Sequence, residues 1–310
     1  MELIRGLHNI RPRHKGCVTT IGAFDGVHRG HQAVLDQVKS KAQELGLPSL
    51  VITLEPLPRE YFAPKAAPAR LMSFSEKISA LQEQGIDRVL GVHFDKAVSK
   101  VPAEVFIEDI FYRQLGMKHM IVGDDLRFGH ERRGDFSLLT QMGEELGFGV
   151  SATKTLTFEG ERASSTRIRQ RLELGDFETA EALLGRPYSM TGKVVYGQQL
   201  GRTINVPTAN LLLHRLKSPM AGVYAIEARL KGETRVLQGV ANVGTRPTVD
   251  DSLTAILEAH LLNFSEVIYG RTLEVTFLKR LRDEKKFASF DKLKDAIYND
   301  IEHAKTLFAQ

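Results

Sequence analysis

Tryptophan is absent from this 310-residue chain, and cysteine occurs once, at Cys17. A single thiol excludes an intramolecular disulfide and any cysteine-built zinc centre. No apolar run approaches the roughly 18 residues that cross a bilayer, so no membrane segment is expected. Met1 to Lys15 is polar and basic with no apolar centre, and does not read as a secretory leader. Sequence repeats and low-complexity tracts are also missing. Aromatic residues do not alternate with basic ones, and 42 Lys and Arg interleave with 38 Asp and Glu for a net charge of +4. That mild basicity suits small anionic substrates and is weak support for nucleic acid, which is not expected as a partner. What remains is a cytoplasmic globular chain long enough for two domains.

The first half alternates strand and helix patterns. Strands are expected at Cys17–Ile21, Leu50–Leu54, Arg88–Val92, Met120–Gly123 and Gly149–Thr155. Helices are expected at His31–Leu45, Ser75–Gln84, Pro102–Leu115 and Phe136–Leu146, with glycines 46, 85, 116 and 147 at the C-cap positions. This alternation predicts a Rossmann-like α/β domain with a parallel sheet, whose ligands bind at the carboxyl ends of the strands. Ala63–Ala69 reads as a mobile loop. Two short helices, Thr166–Leu174 and Phe177–Leu184, precede a stop at Gly185-Arg186-Pro187. Short alternating runs come next at Gly192–Tyr196, Val223–Leu230, Val236–Ala241, Leu253–Leu262 and Thr272–Leu278. They predict a small antiparallel β-barrel, followed by an amphipathic C-terminal helix capped by Ser289. The domains are expected at 1–185 and 186–310.

The richest stretch is Gly22-Ala23-Phe24-Asp25-Gly26-Val27-His28-Arg29-Gly30-His31, between the first strand and the first helix. A helix start carries free N–H groups and partial positive charge, which attract phosphate. Gly22, Gly26 and Gly30 admit a bulky anion, and His28 and His31 stand about one turn apart. Ser164-Ser165-Thr166-Arg167-Ile168-Arg169 opens a later helix with hydroxyls and guanidinium groups suited to phosphate oxygens. Val122-Gly123-Asp124-Asp125-Leu126-Arg127-Phe128-Gly129 comes after another strand. In the second half, Gly192-Lys193-Val194-Val195 precedes Gly201-Arg202-Thr203-Ile204-Asn205-Val206-Pro207-Thr208-Ala209-Asn210. Thr208 and Asn210 project to one face of an extended segment and offer two neutral oxygens to a hard cation. Further on stand Gly239 to Thr248, Leu257-Glu258-Ala259-His260, Tyr269-Gly270 and Leu281 to Phe287.

In this order the motifs resemble the prokaryotic bifunctional riboflavin kinase/FAD synthetase family, from about Gly16 to the C-terminus. The resemblance implies that the first domain adenylylates FMN with ATP, giving FAD and pyrophosphate, and that the second phosphorylates riboflavin to FMN. It assigns His28 and His31 to adenylyl transfer. Gly22, Phe24, Asp25, Asp125, Ser164, Ser165, Thr166, Arg167, Gly192, Lys193 and Gly201 are assigned to substrate binding. Mg2+ accompanies ATP, with Thr208 and Asn210 as its protein ligands, and Glu258 is the kinase base. Flavins are then substrate and product and not redox cofactors. The chain departs from the family at Leu57, Leu126, Asn205, Val206 and Asp251. Two alternatives stay open at this point: a nucleotidyltransferase for another acceptor with a non-catalytic barrel, and a non-catalytic flavin or RNA sensor. Oligomeric state is not specified by these motifs.

Overall fold

The computed structural model describes residues 1–123, 125–153, 156–158, 160–197, 204, 206–247 and 253–309, with only the backbone of 245–247 and 253–254. Asp124, Gly201, Asn205 and Asp251 lie outside the described residues. The chain forms two compact units, Met1–Ala67 with Lys77–Ser164, and Pro68–Glu76 with Ser165–Gln310.

The first unit contains β1 (Glu2–Arg5), β2 (Cys17–Ile21), α1 (Arg29–Leu45), β3 (Ser49–Glu55) and α2 (Pro58–Phe62). Helix α3 (Phe74–Glu83), divided between the units, leads to β4 (Arg88–His93). Then come α4 (Ala103–Val105), a π-helix over Phe106–Gln114, β5 (Met117–Gly123), α5 (Phe136–Leu146), β6 (Gly149–Thr153) and the two-stranded β7 (Thr157–Phe158) and β8 (Glu161–Arg162). Six strands form a parallel sheet in the order β1-β4-β3-β2-β5-β6. Strand β2 is buried over four of its five residues, as expected for a strand covered on both faces. Its thiol Cys17 is fully buried, and burial pushes its pKa up to about 12, so it is inert packing. The winding reverses between β2 and β5. Ligands of open parallel sheets bind in the crevice that such a reversal creates.

The expected parallel α/β sheet is present with two differences: an edge strand, β1, that was not expected, and a changed helix. Pro102–Leu115 reads as an ordinary helix, yet most of it is π-helical. The wider turn closes through the amide of Leu115 and the carbonyl of Ile110, 3.0 Å apart. It also places Phe106 and Phe111, five residues apart, in ring contact at 6.1 Å inside the core.

The second unit carries α6 (Ser165–Leu174), α7 (Phe177–Leu184) and a closed antiparallel barrel. Its strands are β9 (Ser189–Val195), β10 (Ala209–Leu212), β11 (Gly222–Leu230), β12 (Leu237–Pro247), β13 (Leu253–Leu261) and β14 (Thr272–Arg282). Their order around the barrel is β10-β13-β12-β11-β14-β9. Helix α8 (Phe290–Phe308) starts at Ser289, whose hydroxyl accepts from the Lys292 amide at 3.3 Å. Ile301 and Ala304 pack it onto Val223, Ala225 and Val240. Val206, one of the departures from the family pattern, is buried in that same apolar cluster. Arg282, ending β14, grips Asp300 of α8 through two nitrogens at 2.8–3.1 Å.

The end of the expected loop, around Ala69, is tied down. The Arg169 guanidinium donates to the Ala69 carbonyl at 2.5 Å, and the Tyr188 hydroxyl to the Leu71 carbonyl at 3.1 Å. Arg215, its side chain fully buried, bonds the Leu71 carbonyl at 3.3 Å and pairs with the buried Glu76 carboxylate. The other oxygen of Glu76 accepts from the Thr191 amide of β9 at 2.6 Å. Removing one partner of a buried pair strands the other charge, which costs about 3–5 kcal/mol. Glu76→Ala is therefore expected to destabilise the second unit by about that amount, measured by urea unfolding. A fragment starting at Arg186 lacks the same carboxylate and is expected to melt well below the full chain.

Candidate functional sites

The first site begins where β2 ends. The Gly22 amide donates to the Ile52 carbonyl of β3 at 3.1 Å, and the chain then turns into α1. Phe24 and Val27 adopt positive φ, 47° and 40°, and both are buried. For β-branched Val27 this conformation is a genuine outlier, of the kind that costs about 1–3 kcal/mol and clusters at ligand sites. Asp25 is also buried, between these two residues.

His28 is the N-cap of α1. Its Nδ1 accepts from the His31 amide at 3.3 Å, so the ring proton sits on Nε2. The two imidazoles stack, with centroids 3.7 Å apart and planes 20° from parallel. Phe24 lies 5.0 Å from the His31 ring. Gly30 is required by close approach, because a Cβ there would lie 3.1 Å from the His28 ring and 3.3 Å from the Ala163 carbonyl. That contact brings the chain immediately before Ser164 to the start of α1.

The His31 pKa lies well below the ordinary histidine value. Burial is the main cause; the neighbouring His28 and the positive charges of Lys77 and Arg162 add to it. His31 is thus uncharged at neutral pH, and its ring presents hydrogen-bonding atoms and not charge. Its Nδ1 is buried without a hydrogen-bond partner among the described residues, which leaves it open to a water or a ligand. Lys77 and Arg162 are contributors that the motifs did not reveal. Lys77 is buried on α3, with its ammonium 3.3 Å from the Thr53 hydroxyl at the end of β3. Arg162 pairs with Asp125, beyond β5, at 2.8 Å. Asp125 therefore stands across the winding reversal from the His28 turn. Ser164 ends the first unit, and Ser165, Thr166 and the buried Arg167 form the first turn of α6 in the second.

The second site lies on the barrel. The register pairs Asn210 of β10 with Glu258 of β13, and Glu258 with Asn242 of β12. Directly paired residues project to one face, so the carboxylate stands between two amides. Their neighbours Leu211, Leu257 and Ala241 point into the core. Gly197 meets the Asn210 side chain closely, and any Cβ there would collide with its amide. Thr208 precedes β10 and lines a cavity of about 320 Å³ together with Val194, Leu261, Phe264, Ile268 and Tyr269. Tyr269 stacks on Tyr196 at 3.9 Å. Gly192 sits within β9 against the Leu212 carbonyl, and Lys193 is exposed beside Gly270. The structure thus brings together Asn210 and Glu258, with Thr208 two residues away. The cavity wall at Phe264–Ile268 was not legible, because that loop has neither periodicity nor a polar motif.

A family model for FAD synthetase matches residues 10–167, and one for riboflavin kinase matches residues 184–308. The bifunctional riboflavin kinase/FMN adenylyltransferase of Pseudomonas fluorescens is 46% identical over 309 residues, covering 100% of this chain and 98% of that protein. The protein of the same description from Escherichia coli (strain K12) is 47% identical, covering 99% and 98%. A crystal structure described as a macrolide-efflux protein from Streptococcus pneumoniae superposes with a TM-score of 0.76 at 29% identity, covering 97% of each chain. Efflux belongs to that protein's description; among the described residues here, no helix is long and apolar enough to cross a membrane. Both family models fall in the expected order and the relatives align end to end, so the chain belongs to the bifunctional riboflavin kinase/FMN adenylyltransferase family.

Proposed function

We propose that residues 1–185 carry the FMN adenylyltransferase activity of this enzyme and residues 186–310 its riboflavin kinase activity, each through its own set of site residues. The observation that carries the reading is the pairing of Asn210 with Glu258 on one barrel face, two residues from Thr208, which lines a cavity. ATP occupies that cavity side, with Gly192, Lys193 and Gly201 on the nucleotide.

Thr208 and Asn210 present neutral oxygens, a donor set that suits a magnesium ion taking its other ligands from phosphate and water. Bound there with ATP, the ion neutralises charge on the phosphates. Glu258 accepts the proton of the terminal ribityl hydroxyl as that oxygen attacks the γ-phosphorus and ADP leaves. The flanking amides, Asn210 and Asn242, orient the carboxylate.

In the first half the FMN phosphate attacks the α-phosphorus of ATP, and pyrophosphate departs. No covalent enzyme intermediate is needed, so the protein acts by positioning and charge stabilisation. His28 offers Nε2–H from the N-cap, and His31 offers its buried Nδ1 edge. The partial positive charge of α1 adds to Lys77. Gly22, Phe24 and Asp25 in the turn and Asp125 beyond β5 contact substrate, and Ser164, Ser165, Thr166 and Arg167 take phosphate oxygens. A cytoplasmic location belongs to the same reading, supported by the lone, free Cys17. Incubation of the purified chain with riboflavin and Mg-ATP, followed by flavin separation, is expected to yield FMN and then FAD.

Three variants test the assignments. His31→Ala is expected to lower FAD formation by about 10²–10³ while FMN formation stays near normal; equal loss in both reactions would mean that the sites are not divided in this way. Glu258→Gln keeps the size and hydrogen bonding of the side chain but accepts no proton at neutral pH. It is expected to cut FMN turnover by roughly 10²–10⁴ with riboflavin affinity little changed, and normal turnover would remove Glu258 from catalysis. Asn210→Ala is expected to shift the magnesium titration of the kinase to higher concentration with the circular dichroism spectrum retained. An unchanged titration would remove Asn210 from the metal and phosphate shell.

A further inference from the structure

His260 stands two residues after Glu258 on β13 and shares its outward face. Its Nδ1 lies 2.8 Å from the carbonyl oxygen of Pro207. A carbonyl only accepts, so Nδ1 carries the proton and donates. Pro207 has no N–H and precedes β10, whose ladder with β13 begins at Ala209. The Pro207 carbonyl and the Thr208 nitrogen belong to one planar peptide unit. A bond that aims this carbonyl therefore also sets the backbone of Thr208.

Other groups around the ring leave this role to His260. Its ladder partner on β12 is Val240, which lies in the apolar cluster beneath α8. Burial, and to a lesser degree the charge of Lys305 on α8, hold the imidazole below its ordinary pKa despite the bond to Pro207. It is neutral at neutral pH, and its single ring N–H donates to the Pro207 carbonyl.

We propose that His260 is a positioning residue of the kinase site, one that aims the Pro207–Thr208 peptide so that the Thr208 oxygen is held ready for magnesium-bound nucleotide. The inference rests on the reading of Thr208 as a metal and phosphate-shell residue. Partners that orient a metal ligand from outside its shell typically change metal affinity 10–100-fold when removed.

The test is calorimetric titration of the full-length chain with ADP across a magnesium series, for His260→Ala, His260→Asn, His260→Gln and Thr208→Ala. The nucleotide step belonging to the first unit stays constant across these variants. Asn places its amide N–H where Nδ1–H stood, whereas Gln extends its amide toward the Nε2 position. His260→Ala and His260→Gln are expected to weaken magnesium-dependent ADP binding roughly 10-fold, with kinase KM for Mg-ATP rising more than kcat falls. His260→Asn is expected to restore most of the affinity, at a melting temperature similar to that of the Gln variant. If Thr208→Ala weakens binding while His260→Ala does not, or if Asn and Gln behave alike, the positioning role is overturned and the Thr208 assignment survives. If Thr208→Ala itself leaves magnesium-dependent binding unchanged, the underlying reading falls, and the role of His260 with it.

Discussion

Backbone register is the constraint on which the barrel's chemistry depends. Asn210, Glu258 and Asn242 come from three strands and meet because the ladders align them residue for residue. A slip of one residue in β10 would turn Asn210 into the core and bring Leu211 outward. The apolar neighbours prevent it, because Leu211, Leu257 and Ala241 must all be buried together. Polar chemistry on the outer face is thus held in place by hydrophobic burial on the inner one. In the parallel sheet the equivalent constraint is strand order. The reversal between β2 and β5 places the His28 turn and Asp125 at neighbouring strand ends without any side-chain contact being needed to bring them there.

On the proposed reading the two sites handle phosphate differently. The first has a helix terminus, stacked imidazoles, the buried Lys77 and the exposed Arg162, and keeps His31 uncharged among them. The second offers neutral oxygens and one carboxylate, an arrangement that gains its positive charge only when a metal accompanies the nucleotide. Adenylyl and phosphoryl transfer both load negative charge onto phosphate, but only phosphorylation of a sugar hydroxyl also needs a proton removed. A carboxylate stands in the second site, and in the first Asp125 is engaged by Arg162.

Much of this was legible in the sequence for identifiable reasons. Cys17–Ile21, Phe136–Leu146 and Phe177–Leu184 appear with the expected bounds, because a buried β-branched run or a capped apolar stripe specifies them locally. The histidine turn was readable because all its chemistry lies within ten residues. Strand β10 was not legible as a strand: four residues are too short for a period, and its pairing comes from β9 and β13. Lys77 and Arg162 carry no sequence signal because each is a solitary charge, ordinary in sequence and significant only at its place in the fold. The π-helix over Phe106–Gln114 eludes the helical period because it answers to the core into which Phe106 and Phe111 pack, which the local pattern does not encode.

The pairing of Glu76 with Arg215 has an implication for how such a chain can be assembled or divided. The two residues are 139 positions apart, yet both belong to the same compact unit. No single break in the polypeptide separates the units, since Pro68–Glu76 belongs with the residues beyond Ser164 and not with the sequence around it. Joining two ready-made genes end to end would not create this arrangement, because a piece of the downstream unit is encoded inside the upstream one. A ribosome therefore releases the carboxylate long before its guanidinium exists. Until Arg215 emerges, Glu76 has no guanidinium to meet, and the pair forms only by closing a loop of 139 positions.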